Sequence, residues 1–187
     1  AGISLTAYIQ LGRPIIGEQF PSSCFWRRLL PTPTSANENT PRPVVMTYFV
    51  DIFSVETYEE FSKTEKSICG FHPNRRAWVT KIKPGDKIVC YLKGLSCWVG
   101  ILEVTGTLFE AAPGEEVVQE YSLQFACKPL VWLDRGSLIP IKRKDVWTAL
   151  SFTKNVGQGA GGWNAILRSS GVRLSEVDGQ FVEGLLA

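Results

Sequence analysis

A basic and aromatic segment is the part of the sequence whose residue types most readily predict chemistry. Residues 69–87 read CGFHPNRRAWVTKIKPGDK, with cationic and aromatic side chains interleaved. Cationic side chains hold the phosphates of a nucleic acid, and aromatic rings stack on its bases. The segment therefore predicts a nucleic-acid contact in which Arg75, Arg76 and Lys81 bind phosphate. A solvated helix whose Trp78 packs into the core explains the same composition.

A thiol and an imidazole in the same segment suggest a second chemistry. Cys69 and His72 are three residues apart, and a thiol activated by a neighbouring imidazole is a catalytic nucleophile. This pair would make the protein an enzyme that acts on a small molecule or nucleotide. The sequence shows no third group to orient the pair, and an inert buried cysteine is the favoured explanation of Cys69.

Metal sites and disulfides are not indicated by the cysteines. The chain has five cysteines without paired spacing, and His72 is its one histidine. A zinc site needs clustered cysteines and histidines at short spacings, so we expect no metal and no other cofactor. An odd number of thiols without paired spacing predicts a reducing, cytoplasmic location.

Two further residues stand out because their surroundings do not match their type. Asp51 interrupts the apolar run TYFVDIF, and a buried carboxylate must be hydrogen-bonded or paired. It either completes a local polar network or reads the polar edge of a ligand. Trp163 follows Gly161 and Gly162, where an aromatic ring either closes over a ligand or anchors a flexible loop.

The composition excludes several classes of protein. The chain has 187 residues, of which 44% are hydrophobic and 20% charged, values typical of a globular domain. Its net charge of +2 lies within residues 1–45 and the rest is balanced, so a binder that holds polyanions by bulk charge is excluded. No apolar run reaches the ~18–20 residues that cross a bilayer. Residues 1–20 also lack the pattern of a signal peptide, so we expect no membrane partner.

The elements that position these residues begin at Met46. Residues 31–43 read PTPTSANENTPRP, a composition typical of an extended linker. We therefore expect residues 1–45 to form a poorly ordered extension and residues 46–187 to form the folded domain.

Within this domain, β-rich runs alternate with short helices. Ser54 follows the first strand as an N-cap residue and opens the first helix. The predicted helices cover 55–64, 73–82, 142–150 and 176–186, and the predicted strands cover 47–53, 87–92, 97–104 and 121–133. Hairpin-linked strands dominate, which predicts an α+β fold of PUA-like type. Its mostly antiparallel sheet curls toward a small barrel flanked by short helices.

The hairpin around Gly94 predicts one face of this sheet. A two-residue turn places Tyr91 opposite Trp98 and Val89 opposite Gly100. A glycine inside a strand marks a bend or the close approach of a ligand. The face is therefore either a filled barrel core or the floor of a flat pocket with Trp98 in its wall.

Several motifs together resemble the EVE domain of the PUA superfamily and, more distantly, the YTH domain. They include YFVDIFSVETYEEF, KPGDKIVCYLKG, CWVGILEVTG, YSLQFACKPLVWL and SEVDGQ, and they span residues 46–187. The resemblance implies a non-catalytic module that binds a modified nucleobase, such as a methylated one, in DNA or RNA. Such a module stands alone or serves as the specificity subunit of a methylation-dependent nuclease or restriction system.

The resemblance also implies roles for individual residues. Ser54 borders the cavity at the end of the first strand, Asp178 lies near the nucleic-acid backbone, and residues 69–71 supply the first cage residue. YTH domains have a tryptophan at about Cys69, and its absence here favours the EVE branch. The complete expected pocket comprises Asp51, Ser54, Cys69, Gly70, Phe71, Trp98, Gly100 and Trp163. A base reader, an enzyme that uses Cys69 and a purely structural domain all stay open at this point.

Overall fold

The structure is a computed structural model and describes residues 46–111 and 120–187. The extension expected over residues 1–45 and most of the predicted loop at 111–119 lie outside these ranges. Across the described residues, no helix combines the length and apolar character needed to cross a bilayer.

Short strands and helices make up the described part of the chain. The strands are β1 (Tyr48–Phe53), β2 (Ile68–Phe71), β3 (Lys87–Leu92), β4 (Cys97–Val104), β5 (Phe109–Glu110), β6 (Leu123–Trp132), β7 (Ile139–Pro140) and β8 (Val172–Arg173). The helices are α1 (Val55–Ser62), α2 (Arg76–Val79), α3 (Lys144–Ala149) and α4 (Glu176–Leu186), with 3₁₀ turns at Pro73–Arg75 and Ala165–Arg168. The helix predicted over 73–82 is thus a 3₁₀ turn followed by the short α2, which ends at Val79.

The strands form one sheet whose order along the path is β2-β6-β4-β3-β1-β8, with β5 beside β6 and β7 beside β4. Among the described strands, β1 and β3 run parallel, and the other pairs are antiparallel. The prediction of an α+β fold with a mostly antiparallel sheet is therefore confirmed. The parallel pair needs a crossover, which α1, β2 and α2 provide.

The sheet curls until β2, at one end of the path, comes close to β1 near the other end. No ladder joins these two strands in the described topology. A side-chain contact joins them instead, because the Cys69 thiol donates to Asp51 Oδ2 at a distance of 3.4 Å. The sheet is thus a half-barrel with a seam between β1 and β2.

The sheet buries a core on each of its two faces. Side chains alternate along a strand, so Phe49 and Phe53 of β1 face one side and Tyr48 and Val50 face the other. The first core lies under α1 and includes Phe49, Phe53, Tyr58, Phe71, Leu102 and Phe125. The second core lies under α3 and α4 and includes Val50, Tyr91, Trp98, Val146, Leu174 and Val182.

The β3–β4 hairpin departs from its predicted register by one residue. Tyr91 lies opposite Trp98, as predicted, but Gly100 lies opposite Cys90 and not opposite Val89. An irregularity between Cys90 and Tyr91 shifts the pairing, and such a bulge places two residues of one strand against one of the other. Trp98 and Gly100 are two positions apart and would share a face in a regular strand. The bulge instead puts Gly100 on the first face, opposite Cys90, and leaves Trp98 on the second face, opposite Tyr91.

Helix α4 packs on β1 through a glycine. The Ser175 hydroxyl caps the helix by accepting the N–H of Asp178 at 3.1 Å. One turn later, a Cβ added to Gly179 would lie 2.1 Å from Cγ of Tyr48. The Tyr48 hydroxyl donates to Glu183 Oε2 at 2.6 Å. The helix therefore lies at a distance from β1 that leaves no room for a side chain at Gly179.

Two alanine substitutions in α4 test this packing. Gly179→Ala should lower the free energy of unfolding by ~1–3 kcal/mol, because the added methyl group forces the Tyr48 ring to move. Gly184 lies in the same helix with nothing within 4 Å of an added Cβ. Gly184→Ala should therefore raise the free energy of unfolding by up to ~1 kcal/mol, through lower backbone entropy in the unfolded chain. Urea denaturation measures both, and effects of the same sign would contradict the packing described.

Candidate functional site

A cavity of about 260 Å³ opens at the seam of the sheet. It lies between β1, α1, β2 and the residues that lead into β6. Its wall is formed by Asp51, Ile52, Phe53, Thr57, Glu60, Phe61, Thr64, Ile68, Cys69, Gly70, Tyr121 and Gln124. This volume is just below the ~300–1,000 Å³ of pockets for drug-sized ligands, so the cavity suits one small ring system.

Helix α1 supplies one side of the cavity, and its N-terminal cap sets its position. The Ser54 hydroxyl accepts the N–H of Thr57 at 3.1 Å, and the Thr57 hydroxyl accepts the N–H of Ser54 at 2.9 Å. Helical spacing of three, four and seven residues from Thr57 leads to Glu60, Phe61 and Thr64. These residues therefore lie on the same side as Thr57, and all of them line the cavity. Ser54 does not itself line the cavity, contrary to our prediction, because its hydroxyl caps the helix.

Three aromatic rings from separate elements line the cavity. Phe53 of β1 and Phe61 of α1 have ring centroids 5.3 Å apart. The Trp132 ring supports both of them, at centroid distances of 5.7 Å and 5.0 Å. Tyr121, just before β6, is 36% exposed and completes the set. The cavity therefore offers π surface next to a solvent opening.

Two glycines make room for these rings. A Cβ on Gly70 would lie 2.9 Å from Cβ of Tyr121, so Tyr121 packs directly on the backbone of β2. A Cβ on Gly100 would lie 2.6 Å from the Trp132 ring. Gly100 was predicted as part of the pocket, but it lies beneath Trp132 and supports the aromatic wall from behind.

Asp51 is the buried carboxylate of the cavity. It is 6% exposed, and Oδ1 accepts the N–H of Ile52 at 2.8 Å. The Cys69 thiol and the Ser170 hydroxyl also hydrogen-bond to the carboxylate. Burial raises the pKa of Asp51 above its ordinary value, and these three hydrogen bonds only partly oppose that shift. Among the described residues, no cationic side chain forms an ion pair with it.

The Cys69 thiol is not placed to act as a nucleophile. A hydrogen bond with Cys127, burial and the charge of Asp51 all raise the pKa of Cys69 well above its usual value. His72 is exposed, and its Nδ1 accepts the N–H of Asn74 at 3.2 Å. A buried, protonated thiol is a poor nucleophile, so the structure argues against a catalytic pair of Cys69 and His72.

The predicted pocket residues divide between the two faces of the sheet. Asp51, Cys69 and Gly70 line the cavity. Phe71 does not, because its ring is buried in the first core and packs edge-on against Phe125 with centroids 6.2 Å apart.

Trp98 and Trp163 lie in or against the second core, which corrects their predicted place in the pocket. Trp98 is 0% exposed and packs edge-on against Tyr91 at 5.1 Å. Trp163 packs edge-on against Trp147 at 5.0 Å and so anchors its loop. The sheet separates both rings from the cavity, and neither can contact a ligand bound there.

Arg75 is the predicted phosphate ligand that the structure connects to the cavity. Its guanidinium donates to the Ser169 hydroxyl at 2.7 Å. The next residue, Ser170, accepts the N–H of Ile52 at 3.0 Å and hydrogen-bonds to Asp51. Arg75 is therefore connected to the cavity wall through Ser169 and Ser170, and the hydrogen-bond partner of its guanidinium is neutral.

The other predicted cations have different surroundings. Arg76 forms an exposed ion pair with Glu110, with a distance of 2.7 Å. Lys81 Nζ lies 4.6 Å from the ring centroid of Trp78, which is 45% exposed. The alternative in which Trp78 packs into the core is therefore wrong. An exposed indole beside cations is the arrangement that stacks on single-stranded bases.

Asp178 does not face solvent, contrary to the role predicted for it. It is 2% exposed and accepts the N–H of Ser151 at 2.7 Å. It also accepts hydrogen bonds from the hydroxyls of Ser151 and Ser175. These contacts fasten the start of α4 to the loop after α3 and leave the carboxylate unable to contact a nucleic-acid backbone.

Nine of the lining residues escaped sequence analysis: Ile52, Phe53, Thr57, Glu60, Phe61, Thr64, Ile68, Tyr121 and Gln124. The helical spacing of Thr57 and Phe61 is visible in the sequence and could have indicated a shared face. Tyr121 carries no local signal, because the long-range pairing of β6 with β2 brings it to Gly70.

Comparison with known proteins places this fold. No family model and no curated protein sequence matches the chain. Among solved structures, the YTH domain of Mmi1 in complex with RNA matches with a TM-score of 0.51 and 12% identity over 75% of this chain and 81% of that one.

Two further YTH domains match at the same level. One is the Pho92 domain in complex with m6A, with a TM-score of 0.50 and 13% identity over 75% of this chain and 83% of that one. The other is that of Zygosaccharomyces rouxii MRB1 in complex with N6-methyladenosine RNA, with a TM-score of 0.50 and 12% identity over 77% and 86%. Identities this low show the fold alone. The predicted α+β, PUA-like fold is confirmed as YTH-like, and the EVE assignment in particular stays a prediction.

The raised pKa of Asp51 predicts a pH-dependent effect on stability. A carboxyl whose pKa is raised by folding stabilises the protein below its ordinary pKa, and that contribution is lost as pH rises through the folded-state pKa. The unfolding free energy of Asp51→Asn minus that of the parent should therefore increase between pH 4 and pH 8. Urea denaturation across this range measures the difference.

Asp145→Asn serves as the control, because Arg143 lowers the pKa of the exposed Asp145. The corresponding difference should stay almost constant over this range, because a carboxyl with a lowered pKa is already ionised in both the folded and the unfolded chain. Parallel curves for the two variants would show that Asp51 is not destabilised by burial.

Proposed function

We propose that residues 46–187 form a non-catalytic module of EVE type that binds a modified nucleobase of a nucleic-acid strand in the seam cavity. The observation that carries the proposal is a cavity of about 260 Å³ that has rings and a buried carboxylate in its wall. Base readers extrude the target base from its stack at a cost of a few kcal/mol and hold it between side chains. A methyl group on the base adds polarizable apolar surface, which aromatic walls favour.

The cavity offers both stacking surface and polar groups for base recognition. Phe61 and Tyr121 supply π surface, and base–aromatic stacking contributes ~1–3 kcal/mol per base. Asp51, Thr57 and Gln124 supply hydrogen-bonding groups along the same wall. Shape and stacking would hold the base, and these polar groups would distinguish its edge.

The charges favour a base inside the cavity and phosphates outside it. The described lining residues include Asp51 and Glu60 but no lysine or arginine, so a phosphate group would be repelled there. Arg75 is linked to the cavity wall through Ser169 and Ser170, and Lys81 lies beside the exposed Trp78. The surface outside the cavity that carries Arg75, Lys81 and Trp78 would hold the nucleic-acid strand. On it the two cations would bind phosphates, and the indole would stack on a neighbouring base.

The solved structures with the same fold guide the choice of first ligand. Their titles describe complexes with RNA, with m6A and with N6-methyladenosine RNA. We therefore take single-stranded RNA with one methylated base as the first ligand to test, and DNA as the second. A nuclease partner and a cytoplasmic location stay predictions.

Substitutions on the two surfaces should have different effects on RNA binding. Tyr121→Ala removes a stacking ring, so it should weaken binding to RNA with a methylated base at least fivefold and leave binding to unmodified RNA unchanged. Arg75→Ala removes a phosphate contact, so it should weaken binding to methylated and unmodified RNA equally. It should also reduce the slope of log affinity against log salt concentration by about one. Fluorescence anisotropy at several salt concentrations measures both effects.

Leu95→Ala is the matched control, because Leu95 is a 47% exposed apolar residue of the β3–β4 turn that does not line the cavity. It should bind both RNAs as the parent does. The proposal fails if the parent binds methylated and unmodified RNA with equal affinity across a panel of modified bases.

A further inference from the structure

We propose that the base bound in the seam cavity is a cation, namely a nucleobase methylated on a ring nitrogen, and that Asp51 is its counter-ion. N1-methyladenine and N3-methylcytosine are bases of this class, and both carry a positive charge at neutral pH. The inference rests on the proposed function and narrows the class of base that the site takes.

The first reason is that Asp51 lacks a cationic partner within the described structure. Its three hydrogen-bond donors, Ile52, Cys69 and Ser170, are all neutral. A carboxylate that is 6% exposed is destabilised unless it is paired with a charge. The side chain lines the cavity, so a cationic ligand would supply the missing partner.

The second reason is the negative potential at the cavity. Glu60 lines the wall together with Asp51, and the described lining residues include no lysine or arginine whose charge would offset these two carboxylates. The pKa of Tyr121 agrees with this negative potential. It is raised first by burial and then by the negative charges of Glu120, Asp51 and Glu60. A neutral methylated base would lose its hydration there without gaining an ionic contact, whereas a cationic base would gain one.

The third reason is the aromatic wall. Phe53, Phe61 and Tyr121 present π systems to the cavity, and an aromatic face attracts a cation most strongly where water is excluded. A ring-methylated base spreads its charge over a flat heterocycle, so one ligand can stack on a ring and pair with Asp51 at its edge.

A methylated lysine of a peptide would satisfy the same acidic, aromatic wall. The nucleobase is favoured because Arg75 is held by Ser169, whose neighbour Ser170 contacts Ile52 of the cavity wall. That cation would attract the phosphates on either side of an inserted base, and it would repel a lysine-rich peptide.

Isomeric bases test the role of charge at constant mass. Single-stranded RNAs of one sequence would carry N1-methyladenosine, N6-methyladenosine or adenosine at the central position, with N3-methylcytidine and 5-methylcytidine as a second isomeric pair. We expect the parent protein to bind the cationic member of each pair at least tenfold more tightly. Asp51→Asn should abolish this preference, and its folding would be checked by circular dichroism.

Glu56→Gln is the control of equal charge change, because Glu56 is exposed on α1 and does not line the cavity. It should keep the preference. Tighter binding of the neutral isomers would overturn the inference and leave the proposed function intact, and equal binding of modified and unmodified RNAs would overturn both. A preference that survives Asp51→Asn, or a trimethyllysine peptide that binds as tightly as the cationic RNAs, would also overturn the inference.

Discussion

The near closure of the curled sheet is the constraint on which the rest of the structure depends. β1 and β2 approach each other without forming a ladder, and the contact between the Cys69 thiol and Asp51 bridges them. Full pairing would have filled this space with backbone hydrogen bonds, as in a closed barrel. Because the seam stays open, side chains line a cavity there, and one of them is a carboxylate that the fold alone does not neutralise. Retaining such a group lowers stability, which is typical of sites that bind a ligand.

Trp132 keeps helix α1 at the distance that the cavity requires. Its ring lies over the bare backbone of Gly100 and contacts Phe53 and Phe61. Its Nε1 donates to the Ser62 hydroxyl at 3.0 Å, which connects β6 to α1. The aromatic wall is therefore held in place from outside the cavity by packing and a hydrogen bond, so the shape of the cavity does not depend on a ligand.

Local patterns predicted most elements because each depends on neighbouring residues. The bounds of β3, β4 and α4 agree with the sequence analysis, since alternation and a serine N-cap are local signals. The four-residue strand β2 was missed because it contains no regular alternation and forms through pairing with the distant β6. The two-faced arrangement was also missed, because one bulge in the β3–β4 hairpin decides which face Gly100 occupies.

The sequence by itself determined the α+β class, the capped helices, the balanced charge of the domain and the unusual position of Asp51 in an apolar strand. Only the tertiary structure decided which residues share the cavity. It buried Trp98 behind the sheet, joined Asp178 to Ser151 and brought Phe61 and Tyr121 to Asp51. The physical reason is that propensity and capping act over a few residues, whereas the curl of a sheet joins side chains 70 positions apart in the chain, as Asp51 and Tyr121 are.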